Sequence, residues 1–333
     1  MSFTKQMSSP PPLEQFQIGW ICALHIEAIA AAKMLDITYG PLQFQDKSDS
    51  NSYLLGKIGH HCIAIASPRA GSIGNTPATA IAVNLLRTFH DIRVGFMVGI
   101  AGGIPSQKHD VRLGDVAVSF PGDNCGGVRQ HDFGKSLEGG KFHRTGFLNR
   151  PPNSILSAVS LFRLQIDLER TRFPRSVRDA LEKDSVLKNK CSAPDPKTDR
   201  LFKANQPHPP ETTCAQHPVE WDVARAQLAS DAPNVHYGTV VSGNSVVKSA
   251  AVRDSLLQDI PDAVCVEMEA SGLMNDFPCI VVRGICDYCD SHKNDQWQGY
   301  AALAAATYAK ELLEFLPAQE VAEEILALKL YRK

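Results

Sequence analysis

Among 333 residues there is no run of 18 consecutive apolar ones, and residues 1–17, which include Pro10-Pro11-Pro12, hold no apolar segment of signal-peptide length. The expectation is a soluble chain with a disordered start over 1–16 and no membrane partner. Charge of one sign is also missing. The 34 Lys and Arg stand against 36 Asp and Glu, a net −2, so no basic field exists to steer the chain onto nucleic acid. The nine cysteines are odd in number and irregular in spacing, and Cys22, Cys62, Cys265 and Cys279 sit inside apolar runs. That excludes a secreted disulfide framework and predicts a reducing, cytoplasmic setting.

Several motifs are absent as well. No phosphate-binding loop ends in Gly-Lys-Ser/Thr, Ala101-Gly102-Gly103 does not satisfy the dinucleotide fingerprint, and Ser67 and Ser242 lack the nucleophile-elbow pattern. Kinase-type, nicotinamide and serine-hydrolase chemistry fail on these grounds. Cys286-x-x-Cys289 has metal or redox spacing without a second pair, and Cys214 with His217 reads as an unrelated surface pair, so no metal and no cofactor is expected. There is no internal repeat.

What is present is a strand and helix alternation. Residues 18–24, 53–55, 62–66, 96–100, 115–119, 238–241 and 279–287 read as strands, several of them continuously apolar. Helices are expected over 27–35, from Thr76-Pro77 to Phe89, over 249–258 and over 298–316. Continuous apolar strands between helices predict a three-layer α/β fold, with a mixed, mostly parallel central sheet flanked by helices and ligands at the carboxyl ends of strands. One domain spans 17–316, and 317–333 is a further helix or a linker. Ten of the 21 prolines fall between about 150 and 235. That segment reads as an insertion with one helix near 154–168 and an otherwise loose, partly mobile course. A lid or an oligomer contact is its alternative role.

Three carboxylates stand at strand ends or adjoining turns: Glu27, Glu269 and Asp287. One acidic residue at a helix start is commonly structural. Three delivered to one edge of a parallel sheet, beside a Gly-Gly turn that admits a ligand to the backbone, suggest a site. In Glu267-Met268-Glu269, read as lying at a helix start, the Glu269 carboxylate can accept two neighbouring sugar hydroxyls while Met268 lies on the apolar sugar face. Asp287 follows a buried strand, where desolvation favours its protonated form.

The phrases Val241-Ser242-Gly243-Asn244, Val266-Glu267-Met268-Glu269-Ala270 and Arg283-Gly284-Ile285-Cys286-Asp287-Tyr288 resemble the purine nucleoside phosphorylase and nucleosidase superfamily, and most of the chain looks closest to phosphorylase-like domains of fungal multidomain proteins. The resemblance implies the family's α/β fold, a purine nucleoside or nucleotide as small-molecule partner, and a homo-oligomer. It places Met268 and Glu269 at the ribose, and Ala101, Gly102, Val246, Val247 and Asp287 at the base. It makes Glu27 the group that activates water, Arg283 its neighbour, and Asp287 the acid that protonates the leaving base. Met97 and Ile100 stand where phosphorylases of the hexameric bacterial type carry phosphate-binding Arg and Ser, which favours water over phosphate. The expected activity is hydrolysis of the N-glycosidic bond of an adenine nucleoside or nucleotide, ATP included. A phosphate-dependent phosphorylase and a non-catalytic nucleotide-sensing head remain as alternatives. For a nucleotide, Lys108, His109, Arg112, Arg129, Lys135, Arg144 and Lys293 are the basic groups available to the 5'-phosphates.

Overall fold

In the computed structural model, residues 8–67, 74–122, 124–140, 142–173, 175–227 and 232–331 are described. The first apolar segment forms β1 (Phe16–Ile21), whose side chains are almost all buried, and the Ala-rich α1 (His25–Met34) follows it. After a short β2 (Ile37–Thr38), the hairpin strands β3 (Ser52–Ile58) and β4 (His61–Ser67) lead to α2 (Asn75–Thr88). Pro77 lies in the first turn of α2, where its missing N–H costs no helical hydrogen bond. The long strand β5 (Val94–Gly103) and β6 (Val116–Ser119) come next, then β7 (Val128–Gln130) and a separate hairpin of β8 (Gly134–Ser136) and β9 (Phe142–Arg144).

The Pro-rich segment holds three helices, α3 (Asn153–Asp167), α4 (Arg175–Lys183) and α5 (Ser185–Cys191), followed by an irregular course through single 3-10 turns. Strand β10 (Val235–Ser242), α6 (Ala250–Asp259), β11 (Ala263–Glu267) and β12 (Cys279–Asp287) complete the sheet, and α7 (Gln298–Glu314), α8 (Ala318–Glu323) and α9 (Ala327–Tyr331) close the chain.

The main sheet runs β11-β10-β6-β12-β5-β1-β4-β3-β2, with β7 also paired to β10. Most pairings are parallel; β12 with β6, β11 with β5, and the β2-β3-β4 ladder are antiparallel. Helices cover both faces, as expected of a three-layer fold. Ile18, Trp20 and Phe96 pack with α1, α3 and the nearly all-buried α7 on one side, and Ile21, Met97 and Val281 pack with Ile81, Leu85 and Leu86 of α2 on the other. α7 buries its small alanines on all sides, which lets backbone approach backbone closely.

The sequence reading and the structure differ at three places in the chain. Of the start expected to be disordered, 1–7 lie outside the described residues, but Ser8 bridges Tyr39, Leu13–Gln15 form a 3-10 turn and Phe16 opens β1. The insertion is less loose than its prolines imply. Ile155, Val159 and Phe162 of α3, Phe173, Val177 of α4 and Leu187 of α5 are buried against α7 and the sheet, an apolar anchor that proline counting overlooks. Residues 263–267 form a strand, and the helix start expected at Glu267–Glu269 is the N-cap, at Glu269, of a single 3-10 turn, Ala270–Gly272. Strand β11 folds back antiparallel over the end of β5, pairing Cys265 with Gly103 and Val266 with Gly102. The Glu267–Glu269 carboxylates therefore reach the other two by closure of the sheet, and not by lying on parallel strands that end at one edge.

Candidate active site

At the carboxyl end of β1 the chain turns into α1 with Glu27 in the first turn. Its Oε2 accepts from the N–H groups of Ala23 (2.7 Å) and Leu24 (2.8 Å), and its Oε1 accepts from Ile100 N–H (2.9 Å) on β5. Burial pushes its pKa up, against the pull of Arg283 and of the three amides. Directly opposite Gly99 in the β5–β12 ladder stands Arg283, fully buried. Its Nη2 pairs with Glu267 Oε2 and lies 3.2 Å from Glu269 Oε2, and its Nη1 is 3.9 Å from Glu27 Oε1. A Cβ on Gly99 would fall 2.3 Å from Glu27 Oε1 and 2.5 Å from Arg283 Nη1, so the absence of a side chain there is what lets acid and guanidinium meet.

Three buried carboxylates thus share one guanidinium. Repulsion among them has a visible consequence at Glu269. Burial first, and then the charges of Glu267 and Glu27, outweigh Arg283 and raise its pKa to about 7. Glu267 holds the hub together, accepting from the N–H groups of Glu269 (3.1 Å) and Ala270 (3.0 Å) as well as from Arg283. Sequence reasoning missed this role, although Glu-x-Glu after a buried strand, with an Arg inside the next strand, was a signal for it.

A cavity of about 250 Å³ opens above the hub. Glu27, Ala101, Gly102, Val246, Val247, Met268, Glu269 and Lys293 all line it, so most of the residues expected at ribose, base and water come together there. Arg283 does not line it and reaches it only through the three carboxylates. Asp287 does not line it; it lines a neighbouring cavity of about 1240 Å³ that shares Cys286 and Lys293 with this one, and it is buried there: Oδ1 accepts Cys289 N–H (2.9 Å), and Oδ2 is paired with Lys293 Nζ. A Cβ on Gly102 would lie 2.6 Å from Asp287 Oδ1, so this glycine makes room for Asp287 as well as forming the cavity wall. Lys293 keeps a raised pKa because the charge of Asp287 outweighs its burial.

The basic groups expected at the 5'-phosphates do not gather. Lys293 is engaged by Asp287, Arg112 by Asp110 (2.8 Å) and the Ala226 carbonyl, and Arg144 by Asp259 (2.9 Å). Arg129 and Arg144 border a different cavity, of about 310 Å³. Lys108 and Lys135 are exposed, and His109 stands edge-on to His236 with its pKa lowered to about 4 by burial and by that neighbour. These residues sit on separate elements, and three of them, Lys293, Arg112 and Arg144, are held by a local acid, so spacing in the sequence gave no guide to their convergence.

All nine cysteines are unpaired. Cys286 donates to the Ala101 carbonyl, which accounts for one member of the Cys-x-x-Cys by packing. Cys214 and His217 are not an unrelated surface pair: His217 is buried, and both adjoin His208 and His292. Among the described residues no helix is long and apolar enough to cross a membrane.

A mixed sheet with both faces covered, and a cavity of about 250 Å³ floored by buried carboxylates, define an α/β protein with a small-molecule-sized site. The chain belongs to the phosphorylase superfamily, whose family model matches residues 17–317. It is 44% identical over 301 residues to a "Nucleotide-binding leucine-rich repeat (NLR)-like protein" of Hyaloscypha variabilis, covering 90% of this chain and 29% of that one. It is 25% identical over 314 residues to "ATP nucleosidase Cap17" of Escherichia coli, covering 88% of this chain and 50% of that one. The chain therefore spans half or less of the length of these curated relatives. Among solved structures, the 5'-methylthioadenosine/S-adenosylhomocysteine nucleosidase of Neisseria meningitidis superposes with a TM-score of 0.57 at 15% identity, covering 89% of this chain and 98% of that one.

Proposed function

We propose that this chain is a purine N-ribosyl hydrolase that cleaves the N-glycosidic bond of an adenine nucleoside or nucleotide. The observation that carries the reading is the lining of the cavity: among the described residues it contains the Glu27 carboxylate and no arginine, and the one cation among them, Lys293, is committed to Asp287. An inorganic phosphate held there would lack the charged donors that such an anion needs, whereas a water beside Glu27 would face a carboxylate that burial makes a stronger base than usual.

In this mechanism the sugar lies on Met268, with two of its hydroxyls on the Glu269 carboxylate, and the base lies between Ala101, Gly102, Val246 and Val247. Asp287, steadied by Lys293 and by Cys289 N–H, delivers a proton to a ring nitrogen as the glycosidic bond breaks and its electron pair leaves with the base. Positive charge develops on the sugar, stabilised by the carboxylates below it. Water adds at the anomeric carbon and gives its proton to Glu27. Arg283 acts as a positioning residue that keeps three acids within one site.

The activity for which the Escherichia coli relative is named supports ATP as one substrate to be tried. With Lys293 the one cation among the described residues at the cavity wall, the 5'-phosphates would extend out of it towards solvent. A homo-oligomer is part of the same proposal; Phe133, Leu137, Phe142 and Phe147, exposed on and beside the β8–β9 hairpin, offer an apolar contact for a second copy. Incubation with ATP, AMP, adenosine and inosine, with and without phosphate, separates the possibilities. Free base with ribose or ribose phosphate, formed without added phosphate, is the expected result. Sugar 1-phosphate formed only when phosphate is added would mean a phosphorylase, and saturable binding without base release would mean a sensing head.

A further inference from the structure

The irregular part of the insertion meets the loop after β12 at a cluster the proposed hydrolysis does not use. One ligand atom from each of His208, Cys214, His217 and His292 lies within 4.8 Å of all the others. Cys214 and His217 come from one 3-10 turn, where side chains three residues apart eclipse. His292 comes from the far side of the site, five residues after Asp287, and its ring stacks on Phe202 at 3.7 Å.

The hydrogen bonds assign the protons of all three imidazoles. His208 Nδ1 lies 2.8 Å from the Pro209 carbonyl, and His292 Nε2 lies 2.9 Å from the Gln206 carbonyl; a carbonyl only accepts, so both nitrogens carry their proton. Thr212 donates its hydroxyl to the Pro209 carbonyl (2.9 Å), so its oxygen is left to accept from His217 Nε2 (2.9 Å). Each ring is thereby left with one bare nitrogen. That of His217, Nδ1, is buried and has no hydrogen-bond partner, an arrangement that is costly unless something else takes the lone pair. His292 Nδ1 is 3.9 Å from Cys214 Sγ. The edges of a zinc tetrahedron with one sulfur and three nitrogens are roughly 3.3–3.6 Å, so a contraction of at most about 1.5 Å completes the geometry. Asp290, buried two residues before His292, stands beside the site with its Oδ2 3.9 Å from Arg253 Nη1 and without a hydrogen bond.

We propose that His208, Cys214, His217 and His292 bind one divalent transition-metal ion, zinc by the character of the donors, in a closed four-ligand structural site. One thiolate and three imidazoles whose other nitrogens are held by backbone carbonyls or by a carbonyl-anchored hydroxyl are the arrangement by which proteins fix ligating histidines. The ion cross-links the insertion to the segment that carries Asp287 and Lys293, and so stabilises the wall beside the base site. It takes no part in the chemistry proposed above, and the site stands whether or not that chemistry is correct.

The test is zinc content of the full chain, purified with a reductant and without chelator, then dialysed against zinc and desalted. About one zinc per chain is expected. Cys214→Ser and His217→Ala should lose it, while Cys125→Ser, outside the cluster, should retain it. Thr212→Val, which removes only the support of His217, should weaken zinc affinity about 10- to 100-fold. Should the ligand variants not fold, wild-type protein stripped of metal and titrated with cobalt(II) gives the answer without them. Thiolate-to-cobalt charge transfer and tetrahedral bands, displaced by zinc, support the site. Absence of those bands, substoichiometric zinc in the wild type, or full zinc retention by folded Cys214→Ser would overturn it.

Discussion

Two clusters of titratable side chains flank the segment from Asp287 to Lys293, and they are assembled in opposite ways. The hub beneath the cavity joins the guanidinium of Arg283 on β12, set by ladder register opposite Gly99 of β5, to the carboxylates of Glu267 at the end of β11, Glu269 in the turn after it and Glu27 in the first turn of α1. The second joins three imidazoles and a thiol on loops that have no ladder at all. A sheet can hold like charges together because its backbone does not yield. An irregular loop has no such stiffness, and we account for its order by a cross-link. The comparison separates a region built for reactivity, with carboxylate pKa values pushed up, from one whose donors are fixed by their own hydrogen bonds.

The sharpest ways to break that contrast lie in the hub. Glu27→Gln and Asp287→Asn should each lower kcat about 10²- to 10⁴-fold, measured as base released per unit time on protein whose fold is checked by circular dichroism. Glu27→Gln carries an additional stability cost of about 1–3 kcal/mol, because all three N–H groups around it need acceptors and the new amide offers only one oxygen. Arg283→Met leaves three buried carboxylates without their cation and should destabilise the protein by about 3–5 kcal/mol in urea or thermal unfolding. If it unfolds like wild type, the hub is not a unit.

Smaller effects follow from pH. Glu269 has its pKa raised to about 7 in the folded protein, above its unfolded value, so its contribution to stability is fully present below about 4.5 and is lost as pH rises through 7. Compared with Glu269→Gln, the wild type should therefore lose thermal stability between pH 5 and 8. Hydrolysis should run the other way, with kcat/KM rising through about pH 7 as the ribose clamp ionises, and that limb should vanish in Glu269→Gln. The least effect is expected at Lys135, which is exposed: Lys135→Ala should change stability by no more than about 0.5 kcal/mol and leave base release from adenosine unaltered.

The parts of the fold that could be read in advance are those governed by periodicity and burial. The continuous apolar runs of β1, β5 and β12, the helical spacing of α2 and the Ala-rich α7 are each recognisable from the order of residues alone. The association of Glu27, Met268 and Glu269 with one cavity was legible through the family resemblance. The antiparallel return of β11 was not, because a five-residue apolar strand carries no mark of its direction. Nor was the packing of α3, α4 and α5: their buried residues are scattered among charges, and the prolines around them read as loop. His292 lies 75 residues from His217 with no motif joining them, so the fourth member of the cluster became visible only when the loops were placed.

The account rests most heavily on water, activated by Glu27, as the nucleophile. Base release from adenosine, AMP and ATP in phosphate-free buffer, by wild type and by folded Glu27→Gln, tests it directly. Phosphate-independent release by the wild type that falls at least about 10²-fold in Glu27→Gln is the predicted result. Release that requires phosphate, or that is undiminished in Glu27→Gln, would contradict it.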